Sequence, residues 1–254
     1  MKARLILEDG SVYEGESIGA NVTTISEIVF NTSMTGYLEV LSDPSYAGQG
    51  IIMTYPLIGN YGVTDDMESY TSFAKGFIVH RLSRMESNFR NEGSLDDFLK
   101  EKNIPGICDI DTRSIVKKLR EHGTVNGMIT TEEIDVKDVI DEIKAYKIGD
   151  VVSEVTTDKI GYFHGSGHKV ALLDLGAKDS IRKNLLKRNC DVTVYPAHTK
   201  AEDILSQKPD GIMLSNGPGD PKDNPAVIGQ IRKNVDRLRM MSPLYEEILR
   251  GKNE

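Results

Sequence analysis

The chain has 254 residues and a formal net charge of −8, with 39% apolar and 28% charged residues. That length suffices for one large domain or two modest ones, and the apolar share excludes a disordered chain. The acidic balance argues against a nucleic-acid partner, and two cysteines, Cys108 and Cys190, make neither a disulfide framework nor a zinc site by themselves.

The opening run Met1-Lys2-Ala3-Arg4-Leu5-Ile6-Leu7-Glu8 is too short in apolar residues for a signal peptide. No stretch approaches transmembrane length, so a cytoplasmic protein with no membrane partner is expected. Residues 1 to about 130 read as strand-rich. Ala3-Arg4-Leu5-Ile6-Leu7 and Ser11-Val12-Tyr13-Glu14-Gly15 alternate, with Asp9-Gly10 as the hairpin signal between them. Phe77-Ile78-Val79-His80 is a further short strand. Ser94 is a good N-cap for a helix through Lys100, and Ile104-Pro105-Gly106 ends the loop after it. Asp111 or Thr112 caps the next helix, whose Ile115, Val116 and Leu119 fall at helical spacing. Residues 134–148 form a charged amphipathic helix.

Residues 161–168, with three glycines in eight positions, read as a linker. The domains are therefore expected at 1–160 and 169–254. Beyond the linker the pattern changes. Val170-Ala171-Leu172-Leu173-Asp174-Leu175 is nearly continuous in apolar residues, as in a strand covered on both faces. Asp179 or Ser180 caps a helix carrying Ile181, Leu185 and Leu186. Val192-Thr193-Val194-Tyr195 is the next strand, a short helix begins near Ala201, and residues 211–214 make a third strand. This β-α-β-α-β rhythm implies a parallel sheet with right-handed crossovers. The expected fold class is α/β: a strand-rich first domain and a flavodoxin-like parallel-sheet second domain.

The third strand runs into Leu214-Ser215-Asn216-Gly217-Pro218-Gly219-Asp220-Pro221. Two glycines around a proline make a tight turn that can aim peptide N–H groups at a developing negative charge. Taken alone it is equally an ordinary strand-to-helix turn.

Four dense runs in the first domain decide the reading. They are Glu27-Ile28-Val29-Phe30-Asn31-Thr32-Ser33-Met34-Thr35-Gly36-Tyr37, Asp43-Pro44-Ser45-Tyr46-Ala47-Gly48-Gln49, Thr54-Tyr55-Pro56-Leu57-Ile58-Gly59-Asn60-Tyr61-Gly62 and Asp109-Ile110-Asp111-Thr112-Arg113. In these runs the chain resembles the small, glutaminase subunit of carbamoyl phosphate synthetase. The second domain is similar to class I glutamine amidotransferases, and the resemblance reaches from residue 1 to about 234. It implies that Gly217 and Gly219 line the glutamine site, with the Gly217 N–H as an oxyanion donor, and that Ser45 contacts bound glutamine. It further implies a large synthetase subunit as partner, L-glutamine as ligand and carbamoyl phosphate for pyrimidine and arginine synthesis as the product of the pair. No cofactor is expected in this chain, since ATP and metal belong to the large subunit of that family. No G-x-x-x-x-G-K-[ST] run is present either.

In that family a cysteine on a G-x-C-x-G elbow, a histidine and a glutamate hydrolyse glutamine through a thioester. The elbow should follow the glycine turn within a few tens of residues. No cysteine follows Cys190, no histidine follows His198, and no His-Pro-Glu occurs. The run from Asp236 departs from the family pattern. A frameshift, a premature stop or a deliberately shortened chain would each produce this, so truncation in the second domain is expected and no catalytic residue is assigned.

Gly106-Ile107-Cys108-Asp109 imitates the start of an elbow, but Ile110 stands where the strained turn needs glycine. Cys108 and Cys190 are read as small buried hydrophobes. His164 and His168 stand four apart, but the glycines around them disfavour the helix that would align them, and no metal is expected. His80 and His122 fit structural roles. Two function classes therefore stand side by side: a glutaminase subunit, and a non-catalytic subunit that only docks on the large partner. A generic flavodoxin-like binding module accounts for the second domain but not the first.

Overall fold

The computed structural model describes residues 1–234. The chain divides into two compact units, Met1–Gly149 and Asp150–Glu254.

The first unit is a closed barrel of seven strands, built from β1 (Lys2–Leu7), β2 (Val12–Gly19), β3 (Thr24–Asn31), β4 (Gln49–Ile58), β5 (Gly76–Leu82), β6 (Pro105–Cys108) and β7 (Val125–Thr130). The expected hairpin forms: β1 and β2 pair antiparallel with Leu5 opposite Tyr13. Closure comes from β1 pairing with β7, and the order around the barrel is β1-β2-β6-β5-β4-β3-β7. The neighbours β3-β4, β4-β5 and β5-β6 are parallel, so their connections cross over, with a helix between β3 and β4 and another between β5 and β6. Those strands are apolar on both faces: Ile51, Ile52 and Met53 are successive and all fully buried. Each such side chain contributes about 1.5–3 kcal/mol on burial. The triplet Ile104-Pro105-Gly106 ends the loop at Ile104, and its other two residues already belong to β6, with Pro105 at the strand's first position and Ile107 reaching the core.

Helices α1 (Tyr37–Ser42), α2 (Leu95–Glu101), α3 (Thr112–His122) and α4 (Val136–Ala145) complete this unit. The capping signals hold at two of them. The Ser94 hydroxyl accepts from the Asp97 N–H at 3.0 Å, and the Asp111 carboxylate accepts from the Ser114 N–H at 3.0 Å. The charged face of α4 stays in water while Val139 and Ile143 are buried against Ile6 and Met128.

The second unit contains α5 (Val151–Val155), β8 (Gly161–Phe163), β9 (Lys169–Asp174), α6 (Asp179–Lys187), β10 (Asp191–Pro196), α7 (Ala201–Ser206), β11 (Gly211–Leu214) and α8 (Pro225–Asn234). Its sheet has the order β11-β9-β10-β8. The three expected strands are parallel, with Leu173 opposite both Tyr195 and Leu214. This is the α/β parallel sheet expected of a flavodoxin-like domain.

Two expectations for this unit need correction. The glycine-rich segment is no linker: residues 161–163 form β8, antiparallel to β10, and the boundary lies ahead of it at Gly149. Tyr162 and Phe163 supply strand-forming side chains that the glycine count obscured, and the Gly167 N–H donates to the Asn189 carbonyl at 2.7 Å. At α6 the N-cap is Lys178, not Asp179 or Ser180. Asp179 lies one residue inside the helix, where its carboxylate pairs with Arg182 and Lys183 in place of the backbone. The run from Asp236 lies outside the described residues.

Candidate functional site

The parallel strands of the second unit run the same way, so the loops after β9, β10 and β11 leave from one edge of the sheet. The chain enters at β9, moves to β10 on one side and returns to β11 on the other. A reversal of that kind opens a crevice at the carboxyl ends of the strands, between β9 and β11. The turn containing Gly217 and Gly219 hangs directly from β11 at this place.

Both glycines are demanded by geometry, each for a different reason. A Cβ on Gly217 would stand 2.3 Å from the Leu175 carbonyl oxygen, so only glycine lets the turn lie on the peptide after β9. Gly219 has room, its nearest neighbour being Val151 Cγ2 at 3.5 Å, but its φ of +74° is left-handed. Ser215, 9% exposed, joins the two loops: its hydroxyl accepts from the Leu175 N–H at 2.9 Å and donates to the Asn216 carbonyl at 2.6 Å. Asp220 then starts a short 3-10 turn, Pro221–Asp223, by accepting from the Lys222 N–H at 2.9 Å. Gly217 and Gly219 are both exposed, just beyond the carboxyl end of β11.

Ser45 belongs to the first unit. It is the central residue of a 3-10 turn, Pro44–Tyr46, whose N-cap Asp43 is 6% exposed and accepts from the Ser45 N–H at 2.9 Å. The signature runs bond to one another. Asn31 Nδ2 donates to the Tyr46 hydroxyl at 3.0 Å. The Tyr61 hydroxyl oxygen accepts from the Gly36 and Tyr37 N–H groups, the two rings stack 4.1 Å apart, and Tyr37 donates to the Gly62 carbonyl at 2.6 Å. Asp43, Tyr37 and Tyr61 in these runs thus shape the backbone, and Ser45 is half-buried.

Neither cysteine is placed as a nucleophile. Cys108 is 5% exposed in the barrel core. Burial, with Asp109 and Glu16 adding negative charge nearby, pushes its thiol up to about 11. Cys190 is 8% exposed and packs with Val170, Leu172 and Val192. His164 and His168 face different carboxylates, Asp191 at 3.4 Å and Asp210 at 3.6 Å. His80 Nδ1 bonds the Ile110 carbonyl oxygen at 2.9 Å. Among the described residues the one group of potential metal ligands is Glu16, Cys108 and Asp109, within 4.8 Å of one another in the first unit. No helix among the described residues is long and apolar enough to cross a membrane.

Residues 5–129 match the family described as carbamoyl-phosphate synthase small chain, CPSase domain, and residues 171–241 match glutamine amidotransferase class-I. The carbamoyl phosphate synthase small chain of Bacillus cereus strain ATCC 14579 is 48% identical over 239 residues, covering 94% of this chain and 66% of its own length. The chain belongs to the carbamoyl phosphate synthase small chain family. The Listeria monocytogenes EGD-e protein of the same name is 49% identical over 233 residues, with 91% of this chain and 64% of its own length covered. The chain therefore spans about two thirds of the length of these relatives. A solved aminopeptidase from Aneurinibacillus sp. strain AM-1 covers 84% of this chain at 11% identity and a TM-score of 0.33, too low to bear on fold or function.

Local pattern does not single out Asp174 and Thr156, whose bonds hold the chain on either side of Leu175, or the bond from the Leu175 N–H to Ser215. One signal was available: Asp174 is the acidic residue inside the apolar run Val170-Ala171-Leu172-Leu173-Asp174-Leu175.

Proposed function

We propose that this chain carries the glutamine-site loops of a glutamine-hydrolysing carbamoyl phosphate synthase small subunit, with Ser45, Gly217 and Gly219 contacting the amide substrate. The observation that carries the reading is the turn pressed onto the Leu175 carbonyl, with both glycines exposed at the carboxyl end of a parallel sheet. Pre-set N–H groups of that kind stabilise a tetrahedral oxyanion without reorganising. The ammonia from glutamine would pass to a large synthetase subunit in the cytoplasm, which binds ATP and metal and makes carbamoyl phosphate for pyrimidine and arginine synthesis.

The 254-residue polypeptide itself is proposed to dock on that partner without hydrolysing glutamine. A thioester needs a thiolate, and a thiol held near 11 in an apolar core supplies almost none at neutral pH. The test is ammonia release from glutamine by the purified chain beside an active full-length relative, each with a large subunit. Turnover within tenfold of the control refutes the non-catalytic reading. A trace rate from the turn alone is compatible with it.

A further inference from the structure

Asp174 closes β9 and is 8% exposed, a depth at which a carboxylate needs donors on every side. Its Oδ1 accepts from the Gly176 N–H at 2.9 Å and the Ala177 N–H at 2.7 Å. Its Oδ2 accepts from the Thr157 N–H at 2.9 Å. The Asp174 carbonyl oxygen accepts from the Thr156 hydroxyl at 2.6 Å, and that hydroxyl in turn accepts from the Ala197 N–H at 2.9 Å. One residue pair thus ties the end of α5, the end of β9 and the end of β10.

Leu175 lies between these anchors and the glycine turn. The carbonyl of Asp174, the residue before it, is held by the Thr156 hydroxyl, and the N–H of Gly176, the residue after it, by the Asp174 carboxylate, so its peptide has little freedom. Its N–H donates to Ser215 Oγ, and its carbonyl oxygen is the surface on which Gly217 packs. A carboxylate accepting three amide N–H groups makes charge-assisted bonds, about twice as strong as neutral ones. The connection from Asp174 through Leu175 to Ser215 and Gly217 is therefore stiff at its buried end and exposed at its functional end.

We propose that Asp174, backed by Thr156, is the positioning residue of the glycine turn: it sets the Leu175 peptide and thereby where the Gly217 and Gly219 N–H groups stand. The structural claim is independent of ligand. Its bearing on glutamine rests on the function proposed above.

The test is amide-resolved NMR on the whole chain. Asp174→Asn keeps the shape but turns one acceptor oxygen into a donor facing amide N–H groups. Exchange at the hydrogen-bonded Leu175 and Ser215 amides should quicken about tenfold. The order parameters of Gly217 and Gly219 should fall into the flexible range, below about 0.6. Acceleration confined to Gly176, Ala177 and Thr157, with Ser215 and the glycines unchanged, would overturn the proposal. A purely structural role is separated by adding Asp174→Asn to Ser215→Ala. Transmission through Leu175 and Ser215 predicts little further change at Gly217, whereas additive effects would refute it. If Asp174→Asn fails to fold, Thr156→Val should loosen the turn and Thr156→Ser should not, and equal effects of the two refute the proposal. Glutamine titration is scored separately. A wild-type chain that does not bind glutamine counts against the site reading alone, while weaker binding by Asp174→Asn supports both.

Discussion

Gly217→Ala probes the closest contact in the proposed site. The added methyl would lie 2.3 Å from the Leu175 carbonyl oxygen, whereas real Cβ atoms essentially never come within 3.0 Å of another heavy atom. The gap has to open by at least about 0.7 Å, and the obstacle is backbone at the end of a central strand, with no rotamer to relieve it. Overpacking of this kind costs about 1–3 kcal/mol. Gly219→Ala is the matched control, since its Cβ meets only Val151 Cγ2 at 3.5 Å. There the left-handed φ alone costs about 1–2 kcal/mol and leaves the turn in place. The two substitutions should therefore destabilise similarly but differ in what moves. The Leu175 and Ser215 amide resonances should shift strongly in Gly217→Ala and little in Gly219→Ala. Urea titration followed at the Leu172 and Val192 amides reads the second unit alone, which avoids treating a two-unit chain as one transition. Stability of Gly217→Ala within about 0.5 kcal/mol of wild type, with an unmoved Leu175 resonance, would refute the packing argument.

The Cys108 thiol, raised to about 11 by burial and its acidic neighbours, carries roughly a hundredfold less thiolate at pH 8 than an ordinary cysteine thiol. A glutamine-like electrophile should modify it more slowly than free cysteine, with the rate climbing as pH rises toward 11. Intact-mass kinetics decide this, and glutamine-protectable labelling at neutral pH would contradict it. Limited trypsinolysis should cut first at the exposed Lys147, beside the boundary at Gly149, and not at Lys159 or Lys169, which flank the strand at residues 161–163. A first cut at Lys169 would return the boundary to the glycine segment. Docking needs a folded surface and not a thiolate, so co-purification with a large synthetase subunit is expected. That complex should make carbamoyl phosphate from ammonia, bicarbonate and ATP but not from glutamine. Equal activity with both nitrogen donors would mean that a nucleophile was overlooked.

What the sequence determined by itself lies in local chemistry. Asp9-Gly10 specified the β1–β2 hairpin because few other residues accept its turn. Ser94 and Asp111 specified helix starts because their side chains reach amides two or three residues on. The apolar run from Val170 to Leu175 specified a strand covered on both faces, and the four signature runs specified the family. The tertiary structure decided whatever depends on distant partners. Seven strands close into a barrel only because β1 finds β7 more than a hundred residues away, and no local pattern records such a pairing. Residues 161–163 became strand and not linker because β10 offered an open edge. Asp179 missed the cap because Arg182 and Lys183 compete for its carboxylate. At the site, composition gave a turn with two glycines. That Gly217 is needed for the Leu175 carbonyl and Gly219 for its left-handed φ follows from packing between two loops some forty residues apart.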